Sequence, residues 1–304
     1  MNSWRVEFGD AFAGQRVLVT GASGFVGGYL CAALLDLGAE VHALSRQSIG
    51  VSPHCKRYTI DLKDLDAVRG VLAQIRPQIV YHLASQVTAR QEIELVLPML
   101  SNNLIGTVHL LLALTEVNCQ RVVMVGSSEE PVNNVPTSPY AASKAGARLY
   151  AGLFQQIYGL PLVAARLFMA YGPQQQPNRL IPYLVLSLLR GESPRLSSGV
   201  RLCDFVYVVD AVCGLLTMGL HQGVIGSTID LGTGKGVSIR EMAILAADLI
   251  DGTARPLFGA IADRTGERNE VANLPATQAL VGWTPNVSLE DGLKRTIEFY
   301  QTAL

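Results

Sequence analysis

The segment Gly21-Ala22-Ser23-Gly24-Phe25-Val26-Gly27 constrains the fold of this chain more than any other. It directly follows the apolar run 16–20, which is typical of a buried strand, and it opens an apolar helical pattern that ends near Gly38. Glycines at this spacing let the backbone turn tightly and approach a pyrophosphate, which the N-terminus of the following helix attracts. The pattern therefore predicts a dinucleotide site, and the alternative is an ordinary glycine-rich turn. The residues predicted to contact the cofactor here are Gly21, Ser23, Gly24, Phe25, Val26 and Gly27.

Short apolar runs alternate with helical patterns through the first two thirds of the chain. Continuous apolar strands separated by helices are typical of a parallel sheet that is covered on both faces. The sequence thus predicts an α/β fold with a doubly wound parallel (Rossmann) sheet and a smaller C-terminal substrate-binding lobe. The predicted strands are 16–20, 40–44, 57–60, 78–83, 121–125, 162–168 and 228–232. The predicted helices are 24–37, 64–74, 104–118, 140–158, 180–190, 239–250 and 289–302.

The rhythm of strands and helices changes after Tyr171-Gly172-Pro173, where a loop-like, glutamine-rich stretch begins. We place a dinucleotide-binding Rossmann domain at 14–171, with a return segment at about 204–235. The substrate-binding lobe is then expected to comprise residues 172–203 and 236–304.

Composition excludes several classes of protein. The chain has 24 basic and 25 acidic residues without a basic block, so neither nucleic acid nor an anionic membrane surface is expected as a partner. Its five cysteines form no CxxC pair and its histidines lack ligand spacing, so no metal site is expected. The uncharged stretch Leu95–Thr115 contains Pro98 and several polar residues, and we interpret it as a loop and a buried helix rather than a membrane span. These features predict a cytoplasmic protein.

Tyr140 and Lys144 lie four residues apart in Ser138-Pro139-Tyr140-Ala141-Ala142-Ser143-Lys144. If this segment is helical, both side chains lie on one face, and an ammonium group near a phenol favours the phenolate. Such a phenol can act as an acid or a base near neutral pH. The alternative is a solvated helix face with no chemical role.

The second predicted strand ends with Leu44-Ser45-Arg46, where a carboxylate would favour the ribose 2′-hydroxyl of NAD. No acid is present there, and an arginine accommodates the 2′-phosphate of NADP. We therefore expect Ser45 and Arg46 to contact the cofactor and NADP(H) to be favoured over NAD(H). The alternative is that Arg46 is a solvated surface residue.

Seven segments in the same order make the chain resemble the extended short-chain dehydrogenase/reductases, of the NAD-dependent epimerase/dehydratase type. They are the glycine turn, Asp61-Leu62, His82-Leu83-Ala84-Ser85, Asn103-Leu104-Ile105-Gly106-Thr107, the serine run 126–130, Tyr140-xxx-Lys144, and Arg166-Leu167-Phe168 with Tyr171-Gly172-Pro173. The resemblance implies that Asp61 faces the adenine and that Lys144 reaches the nicotinamide ribose. Further cofactor contacts implied by it are Leu62, Leu83, Ala84, Ser85, Asn103 and Tyr140.

The same resemblance assigns catalytic roles. Ser128 aligns with the family's catalytic hydroxyl and would hydrogen-bond the oxygen at which charge develops, Tyr140 would transfer the proton, and Lys144 would keep the phenol acidic. Dehydration would also need an acid and a base, for which Glu129 and Glu130 are the candidates. The alternative for both glutamates is solvation on a loop or structural hydrogen bonding.

The substrate implied by the resemblance is a nucleotide-activated sugar. Gly126-Ser127-Ser128-Glu129-Glu130 and the Tyr140 segment are most similar to GDP-4-keto-6-deoxymannose reductases, which predicts a 4-keto-6-deoxy sugar nucleotide reductase. The alternatives are a 4-epimerase with tightly held NAD, a 4,6-dehydratase, a reductase of a non-nucleotide carbonyl compound, and a dinucleotide-binding sensor without turnover. The intact serine, tyrosine and lysine argue against the sensor.

Three departures from the family's pattern limit how far its substrate can be carried over, and one of them is Pro131-Val132 in place of the usual Tyr-Gly after the two acids. Met169 stands where the family has an asparagine that contacts the sugar diphosphate, and Cys203 stands where it has a diphosphate-binding arginine. Arg201 lies two residues earlier, and Arg264 matches the family's other diphosphate-binding arginine. The expected substrate contacts are therefore Ser128, Met169, Arg201, Cys203 and Arg264.

Extended members of this family commonly form homodimers through two helices, here 104–118 and 140–158. The resemblance therefore implies a homodimer. The apolar stripe Leu110, Leu111 and Leu114 would suit burial in that interface, and core packing would explain it equally well.

Overall fold

The computed structural model describes residues 3–47, 50–88, 90–131, 133 and 135–302. The chain divides into two compact units. The first comprises the chain up to Arg166 together with Val212–Ile229, and the second comprises Leu167–Ala211 and Asp230–Leu304. The observed return segment is thus narrower than the predicted 204–235, and the first boundary precedes the predicted one at 171.

Eleven strands and eleven α-helices occur in the described part of the chain. The strands are β1 Arg16–Thr20, β2 Glu40–Ser45, β3 Lys56–Thr59, β4 Ile79–His82, β5 Arg121–Ser127, β6 Leu162–Leu167, β7 Met169–Tyr171, β8 Leu202–Cys203, β9 Phe205–Tyr207, β10 Thr228–Leu231 and β11 Val237–Ser238. The helices are α1 Ser3–Phe8, α2 Phe25–Asp36, α3 Leu65–Ile75, α4 Val96–Met99, α5 Gly106–Leu114, α6 Pro139–Tyr158, α7 Leu180–Leu189, α8 Val208–Leu220, α9 Ile239–Ile250, α10 Leu274–Val281 and α11 Leu289–Thr302.

The central sheet has seven strands in the order β10-β6-β5-β4-β1-β2-β3. The pairs that β1 makes with β2 and with β4 are parallel, as are β2 with β3 and β4 with β5. The strand order runs outward in both directions from β1, which is the doubly wound arrangement. The predicted fold class is therefore confirmed.

The strands of this sheet are apolar because helices cover both faces. Val17, Leu18 and Val19 of β1 are fully buried. One cluster of buried side chains joins β1, β4 and β5 to α3, α5 and α6, and it includes Val80, Leu110 and Phe154. A parallel sheet buried in this way holds the carboxyl ends of its strands in fixed positions, and the predicted site residues lie at those ends.

Helix α6 carries Tyr140 and Lys144, and its ends follow from local sequence. Ser138 caps its N-terminus by accepting a hydrogen bond from the Ala141 amide at 3.1 Å, and Pro139 occupies the first turn, where no amide partner is needed. Gly159, with φ of 69°, ends the helix in the left-handed conformation. These signals fix Tyr140 in the first turn.

The segment Ile93–Leu114 differs from the prediction of a loop followed by a helix. It is helical throughout, with a 3-10 turn at Ile93–Leu95, then α4, a π-helical stretch Leu100–Ile105, and α5. Pro98 is tolerated because it lies in the first turn of α4, where amide groups have no intrahelical acceptor.

By length and composition alone, this segment could cross a membrane, and core helices of soluble proteins pass the same test. The absence of a membrane partner thus stays a prediction.

The second unit has its own core. Helices α7, α9 and α11 contribute fully buried Leu184, Met242 and Leu293 to one apolar cluster. The short strands pair as β7 with β9 in parallel and β8 with β11 antiparallel. The three long helices were predicted from the sequence, and these short strands were not.

Candidate active site

Two positions of the glycine turn between β1 and α2 have no room for a side chain. Gly21 has φ of +72°, and a Cβ added there would lie 2.7 Å from the Ala84 amide nitrogen. A Cβ on Gly27 would lie 2.2 Å from the Gly21 carbonyl oxygen. Gly24, which precedes α2, offers no side chain to cap the helix. The predicted glycine turn is therefore formed, and packing against neighbouring backbone requires glycine at positions 21 and 27. A turn of this kind before a helix N-terminus suits a pyrophosphate, and its role in binding a dinucleotide stays a prediction.

A chain of buried hydrogen bonds supports this edge of the sheet. The Thr20 hydroxyl contacts His82 Nδ1 at 2.7 Å, and His82 Nε2 contacts the Thr107 hydroxyl at 2.8 Å. Burial, with a smaller effect of the Lys144 ammonium, lowers the pKa of His82 to about 3. The imidazole is therefore neutral and links β1 and β4 to α5. The sequence gives no sign of this bridging role, since His82 stands out there only as part of the segment 82–85.

Asn103, a predicted cofactor contact, is held by protein groups. Its side chain is buried, its carbonyl oxygen accepts from the Gln86 amide at 2.8 Å, and its amide group donates to the Ser143 hydroxyl at 3.0 Å. It also donates to the Gln86 carbonyl at 3.0 Å. Asn103 thus fastens the loop after β4 to α6, which carries Tyr140 and Lys144.

The three predicted catalytic residues are attached to β5 and α6. Ser128 directly follows β5, and Tyr140 and Lys144 are buried in the first two turns of α6. The Lys144 ammonium donates to the Val125 carbonyl of β5 at 2.7 Å. Burial lowers the pKa of Lys144 to about 8, against the opposing effect of the Glu130 carboxylate. An ammonium group buried beside the strand that leads to Ser128 can supply positive charge to a reacting oxygen.

The two glutamates after Ser128 have different surroundings. Glu130 is 5% exposed, accepts a hydrogen bond from the Ser127 amide at 2.9 Å and pairs with Arg148 Nε at 2.9 Å. Burial raises its pKa despite these contacts. Glu129 is only half-buried. Glu130 therefore makes structural hydrogen bonds, which was the alternative to a role as an acid or base.

The remaining predicted cofactor contacts follow β2, β3 and β4. Ser45 is buried at the end of β2 and donates to the Gln47 carbonyl, whereas Arg46 is exposed. Asp61 accepts from the Lys63 amide at 3.0 Å, and Leu62 is buried. Three further predicted contacts lie half-buried after β4, namely Leu83, Ala84 and Ser85. The parallel sheet thus brings these loops to the same edge as the glycine turn.

In the second unit, two of the predicted substrate contacts are brought together. Arg201 Nη1 lies 3.8 Å and Arg264 Nε lies 3.1 Å from the same oxygen of Glu267. Glu267 lies three residues after Arg264, and nothing in the sequence indicates that it faces both arginines.

The other two predicted substrate contacts in this unit lie in strands. Cys203 is buried in β8, and the Met169 amide donates to the Asp204 carbonyl at 3.0 Å. The Asp204 carboxylate accepts from the amides of Thr233, Gly234 and Ala272, so it has a structural role.

Comparison with known proteins places the chain in a family. Residues 17–232 match the NAD dependent epimerase/dehydratase family. The chain is 30% identical to UDP-glucose 4-epimerase of Mycolicibacterium smegmatis, over 94% of this chain and 99% of that protein. It is 26% identical to dTDP-glucose 4,6-dehydratase 1 of Escherichia coli, over 94% and 92% of the two chains.

A solved structure agrees with these similarities. The structure of Thermus thermophilus UDP-glucose 4-epimerase in complex with NAD has a TM-score of 0.85 at 26% identity, covering 95% of this chain and 99% of that one. The predicted resemblance to extended short-chain dehydrogenase/reductases of the epimerase/dehydratase type is thus confirmed, while the closer similarity to GDP-4-keto-6-deoxymannose reductases stays a prediction. The matched residues include both the glycine turn and the Tyr140–Lys144 helix, and the chain belongs to the NAD dependent epimerase/dehydratase family.

Proposed function

We propose that the protein is a 4-epimerase that oxidises and then re-reduces one carbon of a nucleotide-activated sugar. The observation that carries the proposal is the attachment of Lys144 to β5 at the Val125 carbonyl, which anchors the helix of Tyr140 beside the strand that leads to Ser128. A nicotinamide dinucleotide, when bound, supplies hydride transfer. The similarity to UDP-glucose 4-epimerase over nearly the whole chain supports epimerisation as the net reaction.

The residues of this chain would supply the proton chemistry. Tyr140 would accept the proton of the sugar 4-hydroxyl during oxidation and return it during reduction. The Ser128 hydroxyl would donate a hydrogen bond to the same oxygen, at which negative charge develops when the ketone is reduced. The Lys144 ammonium would stabilise the phenolate form of Tyr140. No further acid or base is needed for epimerisation.

Dehydration is less well supported because it needs two more groups. The Glu130 carboxylate is engaged with the Ser127 amide and Arg148, away from solvent. A carboxylate held in this way is poorly suited to taking a proton from a sugar carbon. Glu129 is then the one glutamate of the pair left as a candidate acid or base.

Arg201 and Arg264 are proposed to bind the diphosphate of the substrate. Guanidinium groups bind phosphate oxygens with two parallel hydrogen bonds, and two of them here share Glu267 as a counter-ion. In this arrangement Arg201 would take the role of the diphosphate-binding arginine that the family has at the position of Cys203. Met169 and Cys203 offer no comparable polar groups, which keeps a non-nucleotide carbonyl substrate as a rival.

A second candidate function is an NADPH-dependent 4-keto-6-deoxy sugar nucleotide reductase. The observation in its favour is the end of β2, where Ser45 and the exposed Arg46 stand in place of a carboxylate. This feature supports NADP(H), although the relatives include an epimerase in complex with NAD. A reductase consumes its cofactor stoichiometrically, whereas an epimerase regenerates it.

The two functions predict different behaviour of the purified protein. For the epimerase we expect denaturation to release NAD, and we expect UDP-glucose to be converted to UDP-galactose without net consumption of cofactor. Chromatography of the released nucleotide and of the sugar product checks both. The reductase would be established instead if denaturation released no nucleotide and the protein consumed NADPH when given a 4-keto sugar nucleotide. If UDP, GDP and dTDP all failed to bind in the presence of cofactor, the nucleotide-sugar proposal would be dropped.

We also propose a cytoplasmic location. All five cysteines are buried free thiols, which suits a reducing compartment.

We also propose a homodimer, with an interface formed by other residues than the stripe named in the sequence. Leu110, Leu111 and Leu114 are fully buried in the core of their own chain, so the predicted interface stripe is a core stripe. Large apolar side chains are nevertheless exposed on the segment Ile93–Leu114 and on α6, which pack against each other. The most exposed of them are Ile93, Leu97, Leu149 and Ile157. An apolar surface of this kind supports burial against a second copy of the chain.

Lysine substitutions on this surface test the dimer. We expect the wild type to sediment at twice the mass of one chain, and we expect Leu149→Lys/Ile157→Lys to sediment as a monomer because the charges would be buried without partners. The control is Ile244→Lys, at a 45% exposed position of α9 in the second unit. A monomeric wild type, or a dimeric double variant, would contradict the proposal.

A further inference from the structure

The carboxylate of Glu130 is buried directly after the predicted catalytic residue Ser128 and its neighbour Glu129. Oε1 accepts from the Ser127 amide, and Oε2 pairs with Arg148 Nε, each at 2.9 Å. A Cβ on Gly126 would lie 2.3 Å from Oε1, so the glycine provides the space for this oxygen. A buried carboxylate is costly unless it is paired and hydrogen-bonded, and both conditions are met here.

The contacts of Glu130 join two elements of the candidate active site. Ser127 is the residue before Ser128, so the bond to its amide fixes the backbone from which the Ser128 hydroxyl projects. Arg148 lies on α6 four residues after Lys144, so both side chains lie on the same face of the helix. Glu130 therefore bridges the end of β5 and the face of α6 that carries Tyr140 and Lys144.

We propose that Glu130 is a positioning residue, whose carboxylate holds the Ser128 loop against α6 and offsets the charge of Lys144 without exchanging a proton with the substrate. The inference rests on the proposed function of this site. It assigns Glu130 a role different from the auxiliary acid or base considered from the sequence. It also explains why Gly126 has no side chain.

The electrostatic part of the proposal involves a small set of groups around Lys144. Glu130 follows β5, neutral His82 comes from β4, and Arg148 on α6 is paired with Glu130. Among these, the carboxylate is the one negative group that opposes the effect of burial on the ammonium. Removing it therefore lowers the pKa of Lys144 further below about 8. The ammonium would then lose its proton at lower pH.

The test compares Glu130→Gln with a matched control. Glutamine keeps the size and an acceptor for the Ser127 amide but lacks the charge. The control, Glu116→Gln, removes the charge from another Arg–Glu pair of the first unit, in which Arg69 Nε lies 2.8 Å from a half-exposed carboxylate. Glu130→Gln/Arg148→Gln provides a neutral pair, which keeps the test usable if the single variant folds poorly.

The first measurement needs no substrate. The ionisation of Lys144 is followed by the Cε chemical shift in lysine-labelled protein, with Lys144→Met used to assign the signal. We expect its midpoint to fall by about one pH unit or more in Glu130→Gln and to stay unchanged in Glu116→Gln. In the double variant we expect a smaller fall, because losing the positive charge of Arg148 partly compensates for losing the carboxylate. An unchanged midpoint in the Glu130 variants overturns the inference, even if the protein is an active epimerase. If no substrate is turned over, this measurement still decides the role of Glu130.

The second measurement separates positioning from proton transfer. With a turned-over sugar nucleotide, we expect Glu130→Gln to lower kcat by about tenfold, with KM changed by less than about twofold. The basic limb of the pH–rate profile should move to lower pH together with the Lys144 midpoint. Loss of about 1,000-fold or more with the basic limb unmoved would identify Glu130 as the acid or base itself and overturn the inference.

Discussion

Replacing Tyr140 by phenylalanine is expected to lower kcat by about 10²–10⁴-fold, because the group that carries the proton of the sugar hydroxyl is lost. The ring is buried in the first turn of α6, and phenylalanine fills the same space. We therefore expect the unfolding midpoint and the amount of bound nucleotide to stay close to the wild type. Steady-state kinetics, thermal unfolding and quantification of the released nucleotide measure the three quantities.

The control is Tyr158→Phe at the other end of the same helix. Tyr158 is 57% exposed, so losing its hydroxyl should change kcat by less than about twofold. A Tyr140→Phe protein that retains a large share of its activity would exclude the proton-transfer role, and with it the epimerase and the reductase alike. Loss of activity together with loss of the bound nucleotide would point to a damaged cofactor site instead.

The parts of the fold that could be predicted from the sequence are those with local causes. The glycine turn was predictable because the close approaches of Gly21 and Gly27 exclude any side chain, so the sequence pattern and the geometry have the same origin. The parallel strands were predictable because burial on both faces makes each of them a continuous apolar run. The bounds of α6 followed from Ser138, Pro139 and Gly159, which act on the adjacent turn alone.

The parts that could not be predicted depend on contacts between distant residues. The sequence places Glu129 and Glu130 side by side, and only the fold shows that Glu130 turns inward to Arg148, 18 residues away along the chain. Asn103 likewise matched a motif position, while its partners Gln86 and Ser143 come from separate elements. In both cases the residue type indicated polarity, and tertiary structure decided what the polar group binds.

The periodicity of apolar residues also could not show what an apolar face packs against. Leu110, Leu111 and Leu114 form a stripe that could have faced either the core or a second chain, and the pattern alone does not distinguish the two. The short strands β7, β8 and β9 were missed because runs of two or three residues carry no usable period. Arg201 and Arg264 meet at Glu267 through a contact between residues far apart in the chain, which no local pattern indicates.

Replacing Gly27 by alanine is expected to have the largest effect on the cofactor site. The added Cβ would lie 2.2 Å from the Gly21 carbonyl oxygen and 3.0 Å from its carbon, so the turn must move. Overpacking of this kind costs about 1–3 kcal/mol of unfolding free energy, and sometimes more. Because the displaced atoms belong to the predicted phosphate-binding turn, we also expect the affinity for the dinucleotide to fall at least about tenfold, or about 1.4 kcal/mol. Urea unfolding and titration with the dinucleotide measure the two effects.

The next residue supplies the control, since Gly28 lies on the same turn of α2 and meets nothing closer than the Ala22 carbonyl oxygen at 4.0 Å. Alanine is the better helix former by about 1 kcal/mol, so Gly28→Ala should leave the affinity unchanged and raise the unfolding free energy by up to that amount. The two variants add the same methyl group to adjacent positions, and only the approach to Gly21 differs. If both substitutions changed the unfolding free energy and the affinity equally, the contact with Gly21 would not be what requires glycine at position 27. The requirement would then need another cause.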